Sequence, residues 1–507
     1  MALASPRGTA GLGEGAPHRP DRQGANGQRV DHARGKSARD ELPGRPAARR
    51  RGAAARRRLR RRLGPARRHC RTRRRLQRPG RALGHTGRAD ERGVGLFRAC
   101  TRRDRPDPRP RGSGRRRDAL AGRPAACRRP RLLRSHAGRG ESGLTVDKAR
   151  AQFPVLERYA YLNAGTNGPL PRAAIEAMAE LNRRDLELGR GGKPYFEQIL
   201  ALRERAREAL AGVLEVAPEN VALVSSTTNA CNVVLAGLGL TAEDEIVTTD
   251  VEHFGLIGPL LASAATVRVA RVRDAPPAEA PRLVSEQVTS RTKLIALSHV
   301  SWVTGNSLHP AELPRRPELP ILVDGAQSAG AFRTGAGEFD FYTVSGQKWL
   351  CGPDSTGALY VRDPERLRVG LPTYMSQAAY DVEESFTPKP GAPRFDSVWY
   401  APGTLAGLLA ALEAAPVWWY ERAAEIAAYC RTRLVESGYE VVTAPEQAGL
   451  VSFTVEGDAA ETAARLYEAG VVVRDIPGTG WLRASCGWWT SEDDVERLLE
   501  ALQLDEA

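Results

Sequence analysis

Apolar residues fall into two periods from about Leu144 onward. Helical spacing marks residues 173–189 and 195–214 as long amphipathic helices. Short apolar runs then alternate with helical stretches. Residues 220–224 read as a strand, followed by a polar turn and a helix over 229–238. Further strands are expected at 245–248, 266–272, 293–298, 320–324, 341–344 and Gly357–Val361. Such alternation predicts an α/β fold with a mostly parallel sheet covered by helices on both faces. A long helical stretch over 404–438 leads away from it. Strands at 439–443, 450–455 and 482–486 and helices at 460–470 and 491–502 then read as a small α+β unit. The expected organisation is a large domain over 144–403 and a linking helix with a small C-terminal domain over 404–507. No internal repeat is present.

Residues 1–143 show neither period. Arg, Pro, Gly and Ala dominate, and of 42 basic residues only Lys36 is a lysine. A segment this charged cannot bury enough apolar surface to offset its ordering entropy. Three readings apply: a disordered basic tail that binds nucleic acid, a targeting extension, or out-of-frame translation of GC-rich DNA. Length and scarce Ser weigh against targeting, and the composition favours the third. No apolar run suits a secretory leader.

Charge separates the two parts. The chain has 507 residues and a net charge of +15, but residues 1–143 carry 42 − 11 = +31 and the remainder 33 − 49 = −16. An acidic body would repel phosphates, so nucleic acid is not its expected partner. Seven cysteines, with no C-x-x-C in the body, are too scattered for a disulfide framework or a zinc site. No run reaches a membrane span, and a cytoplasmic location is expected.

Three motifs carry candidate chemistry. Lys348 follows the strand FDFYTVS inside SGQKWLCGP. A lysine just beyond a buried strand is placed to be desolvated, which frees its amine to attack a carbonyl. Asp324 ends the strand of ILVDGAQSAG, at the edge where open α/β sheets bind ligands, and suits a cationic group. In VSSTTNACN, Ser225, Ser226, Thr227 and Thr228 open a helix, where free N–H groups favour an anion. Each also has a plain reading: a surface lysine, a helix cap, a capping turn.

Together with YLNAGTNGPLP, DVEHFG, SHVSWVTG, APGTLAG and LRAS, in this order, these motifs resemble the class V aminotransferase family. These are fold-type I pyridoxal-phosphate enzymes that include cysteine desulfurases, selenocysteine lyases and isopenicillin N epimerase. The resemblance covers nearly all of residues 146–505. It implies pyridoxal 5'-phosphate as cofactor, with Lys348 as its Schiff-base lysine and proton shuttle at the substrate α-carbon. It implies that Asp324 pairs with the ring nitrogen, Gln327 with the ring hydroxyl, and that His253 stacks on the ring. Thr227, Thr228, Ser345 and Gln347 would hold the phosphate. Thr404 would reach the phosphate of a neighbouring subunit, which implies a homodimer. Arg483 would grip the carboxylate of an amino-acid substrate, with Asn163 and Trp302 lining the entrance and pocket.

Two departures narrow the reading. Desulfurases of this family carry a persulfide cysteine on the loop before the arginine strand. Here that loop, DIPGTG over 475–480, has none. Trp302 also stands where desulfurases have an asparagine. The expected activity is therefore C–S lyase or desulfurase-like without the usual cysteine. Aminotransferase or epimerase chemistry is the alternative, since all start from the same carbanion. A basic nucleic-acid-binding tail on a non-catalytic body is the rival from another class.

Overall fold

A computed structural model describes residues 144–397 and 399–503. The readings of residues 1–143 lie outside that range. Seven strands build the main sheet: β1 (Val221–Leu223), β2 (Glu245–Thr249), β3 (Thr266–Ala270), β4 (Thr292–Ser298), β5 (Ile321–Asp324), β6 (Phe341–Ser345) and β7 (Gly357–Val361). Their order is β1-β7-β6-β5-β4-β2-β3, and only β7 runs against the rest.

The inner strands are buried on both faces and are mostly apolar, whereas the edge strand β3 is only partly buried. Ile295 and Leu297 pack under helix α2 (Gly192–Leu214), while Leu294 and Ala296 face the opposite layer with α3 (Thr227–Leu238). The helix α1 (Arg172–Leu188) precedes α2 in the chain and packs against α5 (Pro402–Ala414). One helix had no clear signal: α4 (Phe254–Ala262) contains Gly255, Gly258 and Pro259 and has no consistent polar face. A surface hairpin, Gln377–Tyr380 with Phe386–Pro388, was likewise not foreseen; most of its residues are exposed, so no burial period marks it.

The C-terminal part differs in detail from expectation. The single helix over 404–438 is two, α5 and α6 (Trp419–Glu436). Pro416 is the reason: it forces Ala415 into extended backbone, φ −70° and ψ 131°. The strand expected at 439–443 reduces to one bridge, Val441 with Phe453. A three-stranded antiparallel sheet follows, with β8 (Leu450–Thr454), β10 (Trp481–Ser485) and β9 (Arg474–Ile476) in that spatial order. The first residues of the loop expected at 475–480 thus belong to a strand. Leu482, Ala484, Val451 and Phe453 turn one sheet face into a core with α6, α7 (Ala459–Glu468) and α8 (Glu492–Gln503). The other face carries Ser452, Arg483 and Ser485 toward residues 163–165 and 300–305. The entering chain joins this unit: Ala160–Tyr161 pairs in parallel with Val471–Val472, and Phe153 packs on Trp488 and Trp489.

Candidate active site

The candidate residues gather at the carboxyl ends of the parallel strands, where a ligand crevice is expected. Asp324 is the last residue of β5 and is 3% exposed. Its side-chain hydrogen bonds both fall on Oδ1, from the Ala326 amide at 3.0 Å and the Thr343 hydroxyl at 3.1 Å, which leaves Oδ2 for another partner. Ser298, its neighbour across β4 and β5, donates to Glu252 Oε2 at 2.5 Å. Burial raises the Glu252 carboxyl to about 7, and the nearby Asp324 adds to the rise. Sequence reasoning missed Glu252: nothing in DVEHFG signals a partner so distant in the chain.

Lys348 lies just past β6. Loss of hydration lowers its pKa to about 8, Asp324 opposes that, and Arg483 adds to it. The turn carrying the lysine is held by residues 163–168. The Gly168 amide donates to the Gln347 carbonyl at 2.8 Å, and a Cβ on Gly168 would stand 2.1 Å from the Lys348 carbonyl oxygen. A Cβ on Gly165 would stand 2.8 Å from Arg483 Nη2. Close backbone approach thus explains both glycines of NAGTNG. Gln327 is fixed in the same place: its Nε2 donates to the Gly165 carbonyl at 2.9 Å, and its Oε1 accepts from Trp349 Nε1 at 3.1 Å. One Gln327 N–H remains for a ligand.

Ser226 caps α3, accepting from the Asn229 amide at 3.1 Å, so Thr227 and Thr228 fall in the first turn with its free N–H groups. Gly357 joins this turn to the lysine segment, since it pairs with Ser345 and its carbonyl accepts from the Val224 amide at 3.1 Å. Ser345 donates to Gln347 Oε1 at 3.0 Å. Solvent reaches His253, yet burial of its ring and the Lys348 charge lower its pKa. Its Nδ1 accepts from the Gly255 amide at 3.0 Å, so Nε2 is the free nitrogen, and its ring meets Trp302 edge-to-face at 5.1 Å.

Arg483 is 2% exposed and donates to the Trp302 carbonyl at 2.8 Å. No ion pair with a carboxylate holds it among the described residues. Burial first, then Arg474, lowers its pKa to about 9. Arg483 Nε, Ser485 Oγ, Asn163 Oδ1 and Trp302 Nε1 are all buried without a partner. Asn163 and Ser485 are bridged through their backbones, so these orphaned groups sit together. Buried polar atoms left unsatisfied in one place call for a partner, such as a ligand or bound water. Thr404 is not brought here; it stands in the first turn of α5, just beyond Trp399 in the chain.

A desolvated lysine, a strand-end carboxylate with a free oxygen, a helix N-terminus and a buried arginine with no carboxylate partner among the described residues fit pyridoxal phosphate and a carboxylate substrate. Solved structures share this fold. A mutant of C-DES with glycine covalently linked to the PLP cofactor matches with a TM-score of 0.64 and 30% identity, covering 70% of this chain and 98% of that one. The complex of the cystine C–S lyase C-DES with cysteine persulfide matches with a TM-score of 0.64 and 29% identity, covering 69% and 99%. The fold is that of the fold-type I pyridoxal-phosphate enzymes. The chain belongs to the aminotransferase class-V family, whose profile matches residues 160–498. Relatives include isopenicillin N epimerase of Streptomyces clavuligerus, 28% identical over 70% of this chain and 97% of that protein. A probable cysteine desulfurase of Xylella fastidiosa is 29% identical over 70% and 94%. The protein is a pyridoxal-phosphate-dependent enzyme, similar to cysteine desulfurases and to an epimerase.

Proposed function

We propose that the protein cleaves a C–S bond of an amino acid without a persulfide cysteine of its own. The observation that carries this reading is the pairing of the lysine–carboxylate–arginine site with the state of the thiols. Cys351 and Cys486, the cysteines nearest the lysine and arginine motifs, are 3% and 0% exposed. Burial pushes the Cys351 thiol up, and a hydrogen bond with Cys430 does so for Cys486. Neither presents a thiolate.

The geometry supports a role for each residue. When bound, pyridoxal phosphate supplies an electron sink for the substrate's α-carbon. Lys348, with its amine at about 8, has the free base needed to hold the cofactor and to carry a proton to and from that carbon. Asp324 Oδ2 suits a cationic ring nitrogen, and the free Gln327 N–H suits a ring hydroxyl. Thr227, Thr228 and the Gln347 amide supply donors for a phosphate beside the α3 N-terminus, and Ser345 joins them when its hydroxyl turns away from Gln347 Oε1. His253 offers Nε2 to the cofactor or substrate, and Arg483 forks onto the carboxylate. Asn163 and Trp302 line that side, and Trp302 narrows it.

A homodimer fits the surface. Leu186, Leu188, Phe196 and Leu200 on α1 and α2 are exposed, and Phe196 rests edge-on against the exposed Trp399. Thr404 follows Trp399, on the flank a second copy would cover. No described helix is long and apolar enough to cross a membrane.

Product analysis with an amino-acid panel tests the reading. Sulfur-bearing product together with pyruvate is expected from thiol or disulfide amino acids, and substituting Cys351 and Cys486 together by Ala should leave most turnover. Keto acid without sulfur release, or the opposite enantiomer, would instead establish the transaminase or epimerase alternative.

A further inference from the structure

We propose that Arg474 receives a second, distal carboxylate, so that the site takes an amino acid with an acidic group at each end. This rests on the amino-acid reading above. Arg474 and Arg483 are direct cross-strand partners on β9 and β10. Residues opposite each other on antiparallel strands project to the same face. That face is the one turned to the site: Arg483 donates to the Trp302 carbonyl, and Ser452, its partner on the other side, donates to the Val303 carbonyl, each at 2.8 Å.

β9 is the edge strand, so Arg474 stands one strand spacing, about 5 Å, farther out than Arg483. The two differ in exposure as an inner and an outer contact would. Arg483 is 2% exposed, whereas the Arg474 side chain is 44% exposed. The carboxylate beside Arg474 is Asp475, 3.7 Å from its Nε, which is beyond hydrogen-bond range. Asp475 pairs with Leu482, whose side chain points into the core on the opposite face. Arg474 thus keeps only a loose, solvent-exposed ion pair with Asp475 and makes no hydrogen bond to a carboxylate among the described residues, so its N–H groups are available to a ligand.

Its charge reaches the site all the same, lowering the pKa of both Arg483 and His253. Trp481 precedes Arg483 by two positions and shares its face, and Arg273 lies over its ring at 5.2 Å. The rim therefore carries two arginines outside a buried third. One carboxylate answers Arg483. A second, at the far end of the same ligand, relieves the repulsion between adjacent guanidiniums and gains a two-pronged contact.

Binding of unreactive acids tests this without turnover. The holoprotein is titrated with adipate and with hexanoate, followed by tryptophan fluorescence and calorimetry. Adipate should bind the parent at least about tenfold more tightly than hexanoate. Arg474→Gln should bring the two within about twofold, Arg474→Lys should retain part of the preference, and Arg483→Ala should weaken both acids. The preference in the parent should also shrink with added salt. Equal binding of the two acids by the parent, or an undiminished preference in Arg474→Gln, would overturn the assignment. Neither outcome depends on which bond the enzyme cleaves, so a failure here and a failure of the C–S lyase reading are told apart.

Discussion

A lysine amine removed from water loses its proton more readily, and Lys348 stands in such a place. Its pKa, about 8 against an ordinary 10.5, makes the free base abundant in mildly alkaline solution. Cofactor uptake by the cofactor-free protein should therefore accelerate as pH rises through about 8 and then level off. The sign for Arg483→Ala is also fixed. Arg483 is one of the groups that lowers Lys348, so its removal should move the midpoint of that profile to higher pH. Stopped-flow absorbance across pH measures both, and an unchanged midpoint in Arg483→Ala would break the link between the two residues. At this scale much of the candidate site was legible. Lys348, Asp324 and Thr228 stand where a strand ends or a helix begins, and such places are visible in a sequence. Glu252, Gly165, Ser485 and Arg474 were not, because each matters through a contact with a residue remote in the chain.

The elements show what hydrophobic pattern does and does not encode. Strands buried on both faces read as unbroken apolar runs, and β2, β4, β5, β6 and β7 lie within a residue or two of expectation. The helix α4 and the hairpin at 377–388 did not read, the first because glycine and proline disguise it and the second because it buries little. Pattern also says nothing of how β1 is held. Asp396, 1% exposed, accepts from the Leu223 amide at 2.8 Å, from Arg203 Nη2 at 2.7 Å and from Arg207 at 2.9 and 3.0 Å. The Ser397 amide then donates to the Leu223 carbonyl at 3.1 Å. These contacts fix the strand that leads straight into Ser225–Thr228. Asp396→Ala would leave buried guanidiniums without their counter-charge, at a cost of roughly 3–5 kcal/mol. Urea unfolding measures this, and a loss below about 1 kcal/mol would show that the network is solvated in solution.

For the molecule as a whole, the two sheets do different work. The seven-stranded sheet presents Lys348, Asp324 and the α3 N-terminus from one edge, and the small sheet supplies Arg483 from the face turned toward residues 163–165 and 300–305. Residues 163–168 join them, touching the lysine turn at Gly168 and the arginine at Gly165. In the proposed homodimer a second copy covers the remaining flank: analytical ultracentrifugation should give twice the chain mass of 55.0 kDa, and Phe196→Glu with Trp399→Glu should halve it. A parent that sediments as one chain would remove Thr404 from the site. Lys348 is the lysine proposed to carry the cofactor, and reductive trapping tests that assignment most directly. Borohydride reduction of the holoprotein, digestion and mass spectrometry should place the pyridoxyl group on Lys348, with none on the Lys348→Ala protein. A pyridoxyl group on Lys293 or Lys389 instead would contradict the account.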